Sequence, residues 1–339
     1  AVMIAVIGIA KFTLKEDIKE TKGVDVVPTM EDVITKDSSW CPTFQLIFND
    51  LKNDIVKQDV KFDKSNTFLD NLNKEEFKES DISSDYYYKT YGVKSIELKN
   101  KIIKGIKDKF NQKSDILDKF DFTNSSPNDY FFYSMLYREF KYPKKFNKLD
   151  NGKFNDKYDN IKYCGIIDKD EELAKQIKVL YYNNEDDFAI KLLTTSNDEV
   201  IINKNPKGNN FREIYNNITS KSRQYKDNEF TIDSDYFKMP YLSLNVMKEY
   251  KELEGQSIKG REGKLIKIGA ALQTIKFTLD DVGGKIKSEA GMNVSTTSID
   301  DNKSKRYFYV DKTFAIFLKE TSKDKPYFAA RVDDIRKFQ

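Results

Sequence analysis

The chain of 339 residues contains no histidine. It therefore has no imidazole to act as a general base, to activate a nucleophile, to bind a metal or to sense pH near neutrality. Cysteine is almost as scarce. Cys41 and Cys164 are the only two. They stand far apart without a Cys-x-x-Cys spacing, and without histidine they do not complete a zinc site. Two buried free thiols fit this pattern, and so does one long-range disulfide in an oxidising compartment. There is no Gly-x-Ser-x-Gly elbow and no phosphate loop. Gly255 and Gly260 are suitably spaced, but no Lys-Ser/Thr follows them. Adjacent acids such as Asp186-Asp187 and Asp280-Asp281 could do acid–base work. Among 55 acidic residues such pairs arise by chance, and none sits in a calcium-loop pattern. The sequence assigns no catalytic residue, no metal ligand and no cofactor.

Neither sign of charge dominates. Lys and Arg number 58 against 55 Asp and Glu, a net charge of +3, and opposite charges interleave, as in Lys15-Glu16-Asp17 and Asp168-Lys169-Asp170-Glu171. A nucleic-acid surface concentrates its basic residues, so nucleic acid is not an expected partner. Long apolar runs are missing too. Ala1 to Ala10 is apolar throughout, with one glycine, Gly8. A bilayer span takes about 20 residues. The run reads either as the tail of a signal or anchor segment or as a buried strand rich in Val and Ile. Residues 11–36, polar and mixed in charge with Gly23 and Pro28, read as a linker. The expected organisation is an apolar segment and linker over 1–36 and a single domain over 37–339. The expected location is outside the cell or on its surface, with an N-terminal membrane tether.

What is present is a mixture of helical and extended patterns. Phe44, Ile47, Leu51 and Ile55 recur at helical spacing within Trp40 to Val56, with Pro42 near the start. Leu98, Ile102, Ile106 and Phe110 step by four, and the lysine-rich opposite face reads as solvated. Ser114 to Phe122 reads as a short helix or turn. The cluster Tyr86, Tyr87, Tyr88 and Tyr91 reads as packing. Tyr130 to Phe140 reads as a buried strand. Gln176 to Tyr182 and Phe188 to Leu193, split by Asn183-Asn184-Glu185-Asp186-Asp187, read as a hairpin. Phe211 to Ile218 suits a short helix, Phe237 to Val246 an extended stretch, and Lys248 to Gly255 a short helix closed by glycine. From Gln273 to Asp281 the chain alternates, with Ile275, Phe277 and Leu279 on one face. Tyr307 to Leu318 and Pro326 to Val332 are further strand-like runs.

The order of the last segments carries a resemblance. An alternating strand ends in Asp281, and Gly283-Gly284 follow. A long polar stretch runs to Arg306. The chain then returns through Asp311-Lys312-Thr313-Phe314 and a final strand over Pro326 to Val332. This resembles the C-terminal part of the serpins, in which such a strand leads through a hinge into an exposed reactive loop and back. Asp281 and Gly283 match the start of the hinge. Asp311, Lys312 and Phe314 match the return strand, and Thr313 stands where the family has proline. Tyr130 to Phe154, with Phe140, Phe146 and Gly152-Lys153-Phe154, and the hairpin Val179 to Leu193 are similar more faintly. Phe44-Gln45-Leu46 and Lys287-Ser288-Glu289-Ala290 also resemble segments of membrane-tethered proteins of Gram-positive bacteria. The resemblance implies an α+β fold with a large mixed or antiparallel central sheet, smaller β-sheets and N-terminal helices. It implies a monomer that is not an enzyme and acts by protein contact, with a serine or cysteine protease as a candidate partner.

In inhibitory serpins the cleaved loop inserts as a new strand of a packed sheet, which demands small, uncharged residues along its first part. The matching hinge here is Asp281, Gly283, Gly284, Lys285, Ile286, Lys287, Ser288, Glu289 and Ala290. With a period of two, Gly284, Ile286, Ser288 and Ala290 share one face, and Lys285, Lys287 and Glu289 the other. Ile286 would overpack an insertion site at a cost of about 1–3 kcal/mol. The expectation is a non-inhibitory relative, or a strand already in place. Thr296, Thr297 and Ser298 are the candidate bait. The alternative is a structural or adhesive bacterial surface domain with no protease target.

Overall fold

The computed structural model describes residues 19–284 and 304–339, apart from 63–66, 115, 125, 128, 264 and 270. Its elements run in chain order. First come β1 (Asp25–Val26), β2 (Ser38–Trp40), α1 (Thr43–Asp50), α2 (Phe68–Asn73), β3 (Tyr87–Val93), α3 (Ile96–Phe110), β4 (Tyr130–Leu136) and β5 (Phe140–Lys141). Next are β6 (Asn147–Lys148), β7 (Gly152–Phe154), β8 (Tyr158–Ile161), β9 (Tyr163–Gly165), α4 (Glu171–Lys175), β10 (Ile177–Asn184), β11 (Asp187–Leu193), β12 (Asp198–Lys204) and α5 (Phe211–Gln224). Last are β13 (Asp235–Pro240), β14 (Leu242–Glu249), β15 (Ser257–Lys259), β16 (Leu265–Lys267), β17 (Leu272–Leu279), β18 (Gly283–Gly284), β19 (Arg306–Tyr309), β20 (Phe314–Glu320) and β21 (Pro326–Val332).

Among the described residues, apolar runs such as Phe314 to Leu318 become strands covered on both faces. Seven strands form one mixed sheet in the order β1-β2-β21-β20-β12-β11-β10. The β1–β2 pair is parallel and the other pairs are antiparallel. Every residue of β12 is buried, and all but one of β20. Helix α5 packs on this sheet, with Phe211 and Tyr215 against the Phe317 ring at 6.2 and 5.4 Å. Its start is set by Asn210, whose side chain accepts the Glu213 N–H at 2.8 Å, while the Glu213 carboxylate accepts the Asn209 N–H at 2.7 Å. A four-stranded sheet has the order β19-β13-β9-β6, and five two-stranded pairs complete the described β structure: β14–β17, β3–β4, β5–β18, β15–β16 and β7–β8.

Two smaller cores sit beside the main one. One gathers Phe44, Phe48 and Leu51 with Leu69, Leu72 and Tyr250. The other lies under α3 and joins Leu98, Ile102 and Ile106 to Phe131 and Tyr133.

Several expectations need correction. Lys248 to Gly255 is not helical: Lys248 and Glu249 end β14, and buried Tyr250 leads into turns. Tyr307 to Leu318 is two strands in different sheets, broken at 310–313. Phe237 to Val246 is extended as expected, and supplies parts of β13 and β14, which belong to different sheets. The linker expected over residues 11–36 ends early, because Val24, Val26, Val27, Met30 and Ile34 are buried in the main core and Asp25–Val26 pairs with β2. The tyrosine cluster does pack. Tyr86 and Tyr87 are buried, and Tyr91 stacks on Phe132 at 5.2 Å and donates to Asp54 at 2.9 Å.

Candidate functional site

The hinge residues that the structure describes are Asp281, Gly283 and Gly284. Lys285, Ile286, Lys287, Ser288, Glu289 and Ala290, and the candidate bait Thr296, Thr297 and Ser298, lie outside the described residues. What can be built is the framework that holds both ends of the 285–303 segment.

At the first end, β17 leads into a tight turn. The Asp280 carboxylate accepts the Val282 and Gly283 N–H groups at 2.8 and 3.2 Å, and the Asp280 N–H donates to the Gly283 carbonyl at 3.0 Å. Next to it, buried Asp281 accepts the Tyr241 hydroxyl at 2.5 Å and pairs with Lys145 Nζ at 3.1 Å. Burial alone would raise the pKa of both acids. It does so for Asp280, whereas Tyr241 and Lys145 together hold Asp281 below its ordinary value. The backbone is tied as well. Tyr142 N–H donates to the Val282 carbonyl and Phe146 N–H to the Asp281 carbonyl, both at 2.9 Å. Gly283 and Gly284 then pair antiparallel with Lys141 and Phe140. Gly283 has φ +143°, and a Cβ there would lie 2.4 Å from the Phe140 carbonyl oxygen. One at Gly284 would lie 2.8 Å from the Phe140 ring. Only glycines allow this approach.

At the second end, Arg306 opens β19 and is buried. Its guanidinium makes two bonds to Asp235, at 2.9 and 2.7 Å. It also reaches the Tyr225 hydroxyl at 2.9 Å and the carbonyls of Asp227 and Glu229 at 3.0 and 2.7 Å. These five bonds use the whole donor fork of arginine, and the Asp227 carboxylate lies 3.0 Å from Nη1 as a second ion partner.

Between the ends lie two strand pairs. Among the described residues β17 pairs only with β14, and β4 only with β3. Both pairs thus stand outside the seven-stranded sheet. The β5–β18 ladder joins them at one end. Beneath, α1 packs on β3 and β4 while its Phe44 stacks on Tyr250, just past β14, at 3.9 Å. A buried polar knot fixes the start of β17. Tyr250 donates its hydroxyl to Gln273 Oε1 at 2.6 Å, and Gln273 Nε2 donates to the Cys41 carbonyl at 3.0 Å and to Thr43 Oγ1 at 2.9 Å. Replacing Gln273 with leucine leaves the Tyr250 hydroxyl without its acceptor, at a cost of roughly 1–3 kcal/mol. A lower thermal midpoint is the expected result, with partial recovery in the double variant Gln273→Leu/Tyr250→Phe. An unchanged midpoint in the single variant would show that the knot does not hold β17.

Both cysteines are free and buried, and burial pushes the Cys41 thiol up to about 11. A groove of about 400 Å³ near α1 is lined by Asp50, Asp54, Glu75 and Glu79. Lys89 pairs with both Asp50 and Glu79, Lys52 lies 3.1 Å from Asp59 and 3.9 Å from Glu75, and Asp54 accepts the Tyr91 hydroxyl, so each of these acids has a partner within the chain. No group of three or more metal-ligating side chains converges among the described residues.

Sequence reasoning singled out Asp281 and the glycines as hinge residues and did not single out Gln273, Tyr250, Tyr241, Lys145, Arg306 or Asp235. Gln273 did carry a signal: it is the polar member of the buried face that continues with Ile275 and Leu279. Arg306 carried none, lying among Lys303 and Lys305 in a polar stretch.

No family model and no curated protein matches this sequence. Solved structures do match it. Serpin48 of the insect Tenebrio molitor, described as a highly specific serpin, aligns over 88% of this chain and 92% of its own, with TM-score 0.50 and 13% identity. The thermophilic serpin tengpin in its native state aligns over 90% of each chain, with TM-score 0.52 and 11% identity. At these identities the likeness speaks for the fold alone. The chain has a serpin-like α+β fold.

Proposed function

We propose that this protein works by protein–protein contact through the 285–303 segment, as a non-inhibitory serpin relative with no catalysis of its own. The observation that carries this reading is the closed junction between the two strand pairs. Gly283 and Gly284 are already laddered to β5, and the Phe140 ring fills the space above Gly284. Loop insertion would have to part this ladder and the Asp281 contacts, and would have to admit Ile286 into a packed sheet. A location outside the cell with an N-terminal tether belongs to the same reading and rests on the apolar run Ala1 to Ala10.

The test is incubation with a panel of serine and cysteine proteases. Simple cleavage between residues 285 and 303 is expected, with no SDS-stable complex and no large rise in the melting midpoint of the cleaved chain. A covalent complex or a strongly stabilised cleaved form would establish inhibition and overturn the non-inhibitory reading. Resistance of the segment to every protease would count against an accessible contact loop.

A further inference from the structure

Charge is less evenly spread than the whole composition suggests. Residues 94–113 hold seven lysines and two carboxylates, a net +5, so the remainder of a chain that totals +3 is net negative. Most of this stretch is α3. One side of the helix is committed to the fold through Leu98, Ile102 and Ile106. Another side is apolar yet uncovered. Ile96 and Ile103 lie two turns apart and so align along one face. They are 47% and 43% exposed, and Val93, just before the helix, is 42% exposed. These are three of the eight large hydrophobic side chains that stand exposed among the described residues. Apolar side chains scattered singly need no explanation, but a group of three beside a basic face does.

The lysines around them divide into two sets. Lys94 pairs with Asp129 at 2.9 Å, Lys99 with Asp118 at 2.8 Å and Lys104 with Asp108 at 2.5 Å. Lys101, Lys107 and Lys113 are exposed and make no ion pair among the described residues; Lys101, two residues before Ile103, lies on the opposite side of the helix from the isoleucines. The residue types narrow the partner. Protein interfaces favour Tyr, Trp and Arg and are poor in lysine. Nucleic-acid surfaces add arginine forks and exposed aromatic rings for stacking. Residues 93–113 contain no arginine, and their one aromatic residue, Phe110, is half-buried and packs against Tyr137 at 5.8 Å. Aliphatic tips flanked by long-stemmed lysines instead match the boundary between lipid headgroups and acyl chains, where the stems lie along apolar surface and the ammonium groups reach phosphate.

We propose that this face of α3 docks on an anionic lipid surface, with Val93, Ile96 and Ile103 entering between headgroups and Lys107 and Lys113 holding the phosphates. The contact is peripheral, because no described helix is long and apolar enough to cross a bilayer. It is independent of the contact proposed for the 285–303 segment.

The whole chain is sedimented with vesicles of phosphatidylcholine alone and of phosphatidylcholine mixed with phosphatidylglycerol. Binding to the anionic vesicles only, weakened by salt, is expected. Lys107→Gln/Lys113→Gln should weaken it by about fivefold per lysine, and Ile96→Ser/Ile103→Ser should also release the protein, with unchanged melting midpoints showing that both variants fold. Equal binding to neutral vesicles, or binding indifferent to both variants, would overturn the proposal. So would capture by soluble polyphosphate that depends on the lysines while vesicles stay unbound, which would assign the face to a polyanion in solution.

Discussion

Arg306→Ala should destabilise the protein by about 3–5 kcal/mol, because it leaves Asp235 buried and charged without its partner. No carbonyl or hydroxyl nearby replaces a guanidinium: the Asp227 and Glu229 carbonyls and the Tyr225 hydroxyl were themselves satisfied by it. Asp235 would keep only neutral donors, such as the Thr231 N–H at 2.6 Å. Urea denaturation measures the loss directly. The double variant Arg306→Met/Asp235→Leu should recover much of it, since removing both partners strands no charge. A loss below about 1 kcal/mol in the single variant, as expected of an exposed pair, would mean that the start of β19 is held by strand pairing and not by this clamp.

Gly283→Val should be felt at the other end of the segment. A side chain at φ +143° costs roughly 1–3 kcal/mol of backbone strain, and overpacking adds a similar amount. The obstacle is the Phe140 carbonyl oxygen at 2.4 Å and the Lys141 Cα at 2.7 Å, backbone that cannot swing aside like a flexible side-chain tip. The expected outcome is separation of β18 from β5, read as faster hydrogen exchange at the Tyr142 and Phe146 amides, which donate to this turn. Unchanged protection there would show that the junction is held from elsewhere. The same variant probes the functional reading. If the closed junction is what keeps the segment from refolding, a cleaved Gly283→Val chain should differ in melting behaviour from the cleaved parent.

The parts of the fold that were legible in the sequence are those where one face repeats. Leu98, Ile102 and Ile106 marked α3, and Ile275, Phe277 and Leu279 marked β17, because burial on one side leaves a periodic trace. The hairpin β10–β11 was marked by its polar turn. Lys248 to Gly255 misled because Lys, Glu and Leu are good helix formers, whereas pairing with β17 and the burial of Tyr250 decide the structure there. Tyr307 to Leu318 misled because apolar content does not show where a strand changes sheets; Asp311-Lys312-Thr313 was the faint sign of the break. At the site, Gly283 and Gly284 were picked out by the family resemblance; the close approach to Phe140 that requires them is visible only in the structure. The ion pairs were not legible, because Lys145 with Asp281 and Arg306 with Asp235 join positions far apart in the sequence, in a chain with 113 charged residues.

The order of the seven-stranded sheet has a consequence for how the protein is made. Its middle consists of β20 and β21, synthesised after every other described strand, yet they pair outward to β12 on one side and to β2 on the other. While the chain is still emerging, β2 and β12 each offer an open edge with nothing to occupy it. The apolar face that α5 will cover lacks Phe317 until then. Assembly of the sheet must therefore wait for translation to reach the strands that belong at its centre. A nascent chain stopped short of Phe314 would hold two exposed half-sheets in place of a smaller version of the domain.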